Sequence, residues 1–178
     1  MVEIRTQRLV MRPPLLSDAD AIHSVLDNYE ISKFLSRVEY PLPRETLKDW
    51  ISRNGPTEII EDTTLAMFDH NDKYCGVVAL DLDEGQTVPE LGYYIDVPYW
   101  GKGLMSEAAS ALLEWLFTHS EVNEVSSGAY TFNPASLAIQ YKLGFKDVRT
   151  EQRICMAQGK ELPIVVTLLR RDNFTPIH

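Results

Sequence analysis

Gly101-Lys102-Gly103 is where residue types and spacing in this chain first suggest chemistry. Two glycines so close together let the backbone turn sharply and bare its N–H groups. From there Leu104, Ala108, Leu112, Trp115 and Leu116 recur at helical spacing. Amides bared at a helix start, at the positive end of its dipole, hold anions, and phosphate is the usual one. The same residues also suit a strand-to-helix turn that binds nothing. A dinucleotide fingerprint needs Gly or Ala where Ser106 stands, and a Walker A loop needs Ser or Thr where Gly103 follows Lys102. Both of those phosphate chemistries are disfavoured.

Residues 133–145 hold the second candidate. Asn133 suits an amide cap, Pro134 the first helical turn and Gly144 a C-terminal stop. Ser136 and Tyr141 place hydroxyls on that helix. Glu90 heads the stretch before the glycines and could act as a base, though a plain strand-edge carboxylate explains it equally. Cys75 and Cys155 read as packed thiols rather than nucleophiles. No spacing of His, Cys, Asp or Glu matches a metal site, and no metal is expected.

These residues need a frame to hold them. In 90–97 the side chains alternate, with Leu91, Tyr93, Ile95 and Val97 on one face and Glu90, Gly92, Tyr94 and Asp96 on the other. Further strands are predicted at 9–12, 63–68, 75–82, 125–130, 145–155 and 162–169. Helices are predicted after Ser17, which pairs with Asp20 as a capping box, and at 44–52, from 104 and at 134–143. The order βααβββαβαββ predicts an α/β (α+β) fold, a mixed sheet with helices on both faces. A length of 178 residues suits one domain spanning 1–178. No apolar run is long enough for a membrane span and the start lacks a signal-peptide layout, so a cytoplasmic protein is expected. A net charge of −9 argues against nucleic acid as a partner and suits a basic one.

Taken together, these elements resemble the GNAT acetyltransferases, in particular the ribosomal-protein N-acetyltransferase (RimJ/RimL-type) branch. The opening Ile4-Arg-Thr-Gln-Arg-Leu-Val-Met-Arg-Pro13 is similar to that branch's T-x-R-L-x-L-R-P start, and Asp18-Ala19-Asp20-Ala21 also resembles it. Tyr99-Trp-Gly-Lys-Gly-Leu-Met-Ser-Glu-Ala108 is similar to Y-W-G-K-G-x-x-x-E-A. Asn133 through Ser136 to Gly144-Phe145 is similar to N-x-x-S…K-x-G-F. Four matches in order cover nearly the whole chain and are far more specific than any one.

The resemblance implies a mostly antiparallel sheet of six to seven strands, splayed at the middle where 90–97 and 125–130 part. It implies acetyl-CoA as acetyl donor, with its pyrophosphate on the N–H groups of Gly101, Lys102, Gly103 and Leu104. Ile95 and Val97 would pair with the pantetheine through their backbone, and Asn133 and Ser136 would reach it from the other side. A backbone N–H near Ile95–Val97 would polarise the acetyl carbonyl, Glu90 would serve as base through water, and Ser136 or Tyr141 would meet the leaving thiolate. The acceptor is a primary amine: a protein N-terminus, a basic peptide, a polyamine, an amino sugar or another small amine. It would enter opposite the cofactor, between 34–43 and 158–160. Exposed strand edges such as the last hairpin admit a homodimer. A non-catalytic acyl-CoA-binding protein of the same fold is the alternative.

Two departures from the family pattern bear on these roles. Pro98 stands three residues before the first glycine, where many members have Gln or Arg, and it lacks an N–H. Gln140 stands seven residues after Asn133, where many members place a tyrosine as acid; Tyr141 is the next residue, turned by about 100° on a helix.

Overall fold

The computed structural model describes residues 2–177, and among them eight strands form one sheet. In chain order the elements are β1 (Ile4–Arg5), β2 (Leu9–Arg12), α1 (Ala19–Leu26), α2 (Tyr29–Ser32), α3 (Arg44–Arg53), β3 (Thr63–Asp69) and β4 (Tyr74–Asp81). Then follow β5 (Glu90–Ile95), α4 (Leu104–His119), β6 (Glu124–Tyr130), α5 (Pro134–Leu143), β7 (Lys146–Cys155) and β8 (Lys160–Arg170). The spatial order is β1-β2-β3-β4-β5-β6-β8-β7. Neighbours run antiparallel except β5 and β6, which are parallel. The strand beyond the seven predicted is β1, whose two residues are too few to show an alternation.

Alternation along β3 and β4 builds two cores. Leu65, Met67, Val78 and Leu80 meet Leu104, Ala108, Leu112 and Leu116 of α4 on one face. Ala66, Phe68, Val77 and Ala79 meet Ile22, Leu26, Leu47 and Ile51 of α1 and α3 on the other. Both faces are covered, so these strands are buried along almost their whole length. Each fully buried leucine contributes on the order of 2 kcal/mol, and together they fix the strands that carry the site.

Two local expectations are corrected. Ser17 and Asp20 form no capping box; Asp18 instead holds the 3-10 turn Leu16–Asp18 that leads into α1. Asp18 Oδ2 accepts the Leu15 N–H at 2.8 Å, and both Asp18 oxygens take the Arg12 fork at 2.8 and 2.9 Å. Asp20 instead pairs with Arg44. The predicted strand 90–97 ends at Ile95. Val97–Tyr99 forms a 3-10 turn, because Pro98 has no N–H to continue a ladder.

The feature that positions the site is the seam between β5 and β6. Only Glu90↔Ser126 and Leu91↔Ser127 pair across it. Beyond them β5 stays with β4 as far as Ile95, while β6 stays with β8 as far as Tyr130. The sheet therefore opens into a wedge whose walls are the end of β5 and the end of β6. Among the described residues no helix is long and apolar enough to cross a membrane.

Candidate active site

At the mouth of the wedge lies the glycine turn. Gly101 and Gly103 take φ of 71° and 75°, in the left-handed region that favours glycine. Gly103 caps α4, and Glu107 is the first residue whose N–H reaches a helical carbonyl, Gly103 O at 3.1 Å. The amides of Leu104, Met105 and Ser106 are thus left without a helical acceptor. Gly101, Lys102 and Gly103 are exposed, whereas Leu104 is buried and anchors the turn to the core. Lys102 Nζ stands 5.7 Å from the centre of the Tyr99 ring.

Arg8 locks this turn. Its Nη1 donates to Lys102 O at 2.8 Å, its Nε to Glu107 Oε2 at 2.7 Å, and its backbone N–H to Glu107 Oε1 at 3.0 Å. Burial disfavours the charged form of Glu107, but hydrogen bonds from Thr6 and Arg8 outweigh it and hold the carboxyl below its ordinary value. An acid in the first turn would repel a bound phosphate; Arg8 neutralises it. Sequence reasoning missed this clamp, although both partners sit in motifs it had singled out.

Along the wedge, β5 presents a free edge. The Asp96 N–H is committed to Cys75 O at 2.7 Å on β4, and Leu91 O accepts Ser127 Oγ at 2.8 Å on the other side. Alternation then turns the N–H groups of Tyr93 and Ile95 toward the opening. Trp100 Nε1 donates to Ile95 O at 2.9 Å. Val97 lies past the strand in the 3-10 turn, 38% exposed. The opposite wall is α5. Asn133 caps it, accepting the Ser136 N–H at 3.3 Å. Ser136 Oγ stands 2.9 Å from Tyr93 Oη on β5. Tyr141 is not brought to the wedge: its hydroxyl donates to Asp147 Oδ1 at 2.8 Å and the residue is 47% exposed. Of the two hydroxyls proposed to meet the leaving thiolate, Ser136 is the one at the opening.

The other face of β5 is polar and charged. Glu90 Oε1 accepts from Arg153 Nη1 at 2.8 Å, and Arg153 also pairs with Glu151 at 3.1 Å. Asp81 lies opposite Glu90 in register, and its side chain makes no hydrogen bond or ion pair among the described residues. Burial, reinforced by Asp62, Glu90 and Asp83, raises its proton affinity, and the Arg37 charge offsets this only in part. Near the two segments expected to wall the acceptor side, Gln158 Nε2 donates to Lys33 O at 3.1 Å, just before 34–43, and the Met156 N–H donates to Ser36 O at 3.3 Å, just before 158–160. A separate cavity of about 340 Å³, lined by Val2, Ile60, Thr63 and Trp115 among others, shares no residue with this site.

Comparison with known proteins bears on this arrangement. A family model described as an acetyltransferase (GNAT) domain matches residues 8–146. The putative ribosomal N-acetyltransferase YdaF of Bacillus subtilis (strain 168) is 26% identical over 164 residues, covering 87% of both chains. The structure of RimL, the ribosomal L7/L12 alpha-N-protein acetyltransferase, in complex with coenzyme A superposes with a TM-score of 0.81 at 17% identity, covering 97% of this chain and 99% of that one. The spermidine N-acetyltransferase from Vibrio cholerae, in complex with CoA and spermine, superposes with a TM-score of 0.79 at 16% identity, covering 94% and 98%. At such identities the structural likeness is one of fold.

Proposed function

We propose, for a chain that belongs to the GNAT acetyltransferase family, that it moves an acetyl group from acetyl-CoA to a primary amine by direct attack on the thioester. The observation that carries this reading is the wedge between β5 and β6, opening beside the bare amides at the start of α4. A diphosphate fits those amides, and a pantetheine arm fits the outward N–H of β5 at Ile95, continuing past Val97. Gly101, Lys102, Gly103 and Leu104 would hold the first, with Asn133 and Ser136 on the facing wall. Acetyl-CoA supplies an activated acyl carbon on a good leaving group.

The chain's own residues supply the rest. A backbone N–H at the Ile95–Val97 end of β5 polarises the carbonyl oxygen. Ser136 meets the sulfur. Glu90, through water, takes the proton of the amine on the opposite face. An N-terminal amine, with a pKa of about 8, needs less help than a lysine near 10.4. The carboxylate of Asp81, beside Glu90 and Glu151 that share Arg153, suits a cationic acceptor, either the N-terminus of a basic peptide or protein or a small amine. We read 1–178 as one acetyltransferase domain that works in the cytoplasm, with the outer edge of β7 open to a second copy.

A non-catalytic acyl-CoA-binding protein is the second reading, favoured by Gln140 in place of a tyrosine and by Tyr141 turned away. Calorimetry with acetyl-CoA, CoA and NAD, followed by free-thiol release over a panel of amines and N-terminal peptides, tests both. Acetyl-CoA binding with amine-dependent thiol release supports turnover. Binding without release across the panel supports the second reading, and no binding at millimolar acetyl-CoA removes both.

A further inference from the structure

Three polar side chains bridge the wedge just past the point where β5 and β6 stop pairing. Tyr93 lies two residues beyond Leu91 on β5, and Gly128 one residue beyond Ser127 on β6. Gln140, 0% exposed, spans between them from α5. Its Nε2 donates to Gly128 O at 3.2 Å and is 3.4 Å from both Tyr93 Oη and Ser136 Oγ. Its Oε1 accepts from the buried Thr167 Oγ1 at 2.7 Å. A backbone carbonyl can only accept, so Gly128 and Thr167 together fix which way the amide faces. Tyr93 Oη donates to Ser136 O at 3.1 Å and lies 2.9 Å from Ser136 Oγ, where either oxygen can be the donor. Gln140 Nε2 can only donate, so where Tyr93 also donates, Ser136 Oγ accepts from two neighbours and its own hydrogen is left to donate outward.

We infer that Tyr93 and Gln140 are positioning residues that aim the Ser136 hydroxyl at the leaving sulfur, so that the sulfur departs as a hydrogen-bonded thiolate with no side chain giving up a proton. The inference rests on the acetyltransferase reading above. In the balanced step the amine nitrogen bonds to the acetyl carbon, and the C–S bond breaks with its electron pair on sulfur. The proton lost by the amine goes to the base, and the thiolate later takes a proton from water. Proton affinities favour this over transfer from a hydroxyl. A thiol has a pKa of about 8.5 and a phenol about 10. Burial of Tyr93 raises its value further, with Ser136 and Gln140 pulling the other way. A hydroxyl chain that keeps its protons can still stabilise the sulfur anion by hydrogen bonding. On this reading the helix position held by Gln140 needs no acidic tyrosine; it orients a hydroxyl supplied by its neighbours.

The test titrates the thiol of bound CoA by its thiolate absorbance, with calorimetry of CoA and acetyl-CoA binding across pH. On the wild-type protein the bound thiol should ionise at lower pH than free CoA. Tyr93→Phe should return it toward the free value and weaken CoA about ten-fold at pH 9, leaving acetyl-CoA affinity within about two-fold. Ser136→Ala, at a partly exposed position that does not depend on the core, should do the same, and the double variant should lose no more than either. A thiol that ionises as in free CoA, single-variant titrations like wild type, or additive losses would overturn the inference and leave the acetyltransferase reading standing. A wild-type protein that does not bind acetyl-CoA overturns that reading, and the inference with it.

Discussion

Arg153 reaches from β7 across β8 and β6 to place its guanidinium 2.8 Å from Glu90 Oε1 on β5. The ion pair ties β7 to the start of β5 and holds the carboxylate proposed as base. Glu90→Gln should lower kcat/KM by about a hundred-fold and remove the acid limb of its pH profile. Arg153→Met should lower it less and leave acetyl-CoA affinity unchanged. A pH–rate profile of Glu90→Gln that overlays the wild type would end the role of Glu90.

The Arg8 clamp should act on the donor alone. Arg8→Met frees Lys102 O and leaves the Glu107 carboxylate uncompensated beside the proposed phosphate seat. The expected result is acetyl-CoA binding weaker by about ten-fold, with kcat and amine KM little changed. Stability adds a pH signature. Glu107 is held below its ordinary value of 4.5, so its contribution is present above that pH and is lost as pH falls through the folded value. The unfolding midpoints of wild type and Arg8→Met should therefore differ at pH 7 and converge in acid.

Asp81 predicts the opposite sign. Its carboxyl is held above its ordinary value of 3.8, chiefly by burial, so ionising it weakens the fold. Asp81→Asn should raise the melting temperature at pH 7, and the gain should vanish below the ordinary value. The same variant should raise KM for a cationic amine. A melting temperature that falls at pH 7 would show that burial does not govern this carboxyl.

Two glycines of similar backbone separate strain from crowding. At Gly144, φ is 102° and an added Cβ would stand 2.0 Å from Asn173 O, whereas at Gly159 φ is 63° and nothing lies within 4 Å. Gly144→Ala should destabilise by on the order of 3 kcal/mol and Gly159→Ala by about 1 kcal/mol. Denaturant midpoints measured side by side decide this.

Alternation and helical spacing made most of the frame legible in the sequence, because β3, β4, β5 and α4 each bury faces that local pattern encodes. The glycine turn and the Asn133 cap were legible for the same reason: both are local devices. The pairs that complete the site were not. Arg153 and Glu90 are 63 residues apart, and Arg8 and Glu107 are 99. A charged residue shows no periodicity that names a distant partner. Tyr93 sat on the correct face of its strand by alternation, yet its partners on α5 follow only from how helix and sheet pack. Tyr141 drew attention by type alone, and the helix turns it outward. The early end of β5 was written in Pro98, but its effect on Val97 needed the three-dimensional turn to be seen.

The seam between β5 and β6 also has a mechanical meaning. Two plates of sheet, β1 to β5 and β6 to β8, meet through two rungs of backbone pairing, with Gln140 as a brace beyond them. A seam held by so few rungs is where bending between the plates would concentrate. An extended ligand lying along β5 would supply rungs the sheet itself omits, so the bound molecule would act as a splint, and amide exchange at Tyr93 and Ile95 would slow when the cleft is filled.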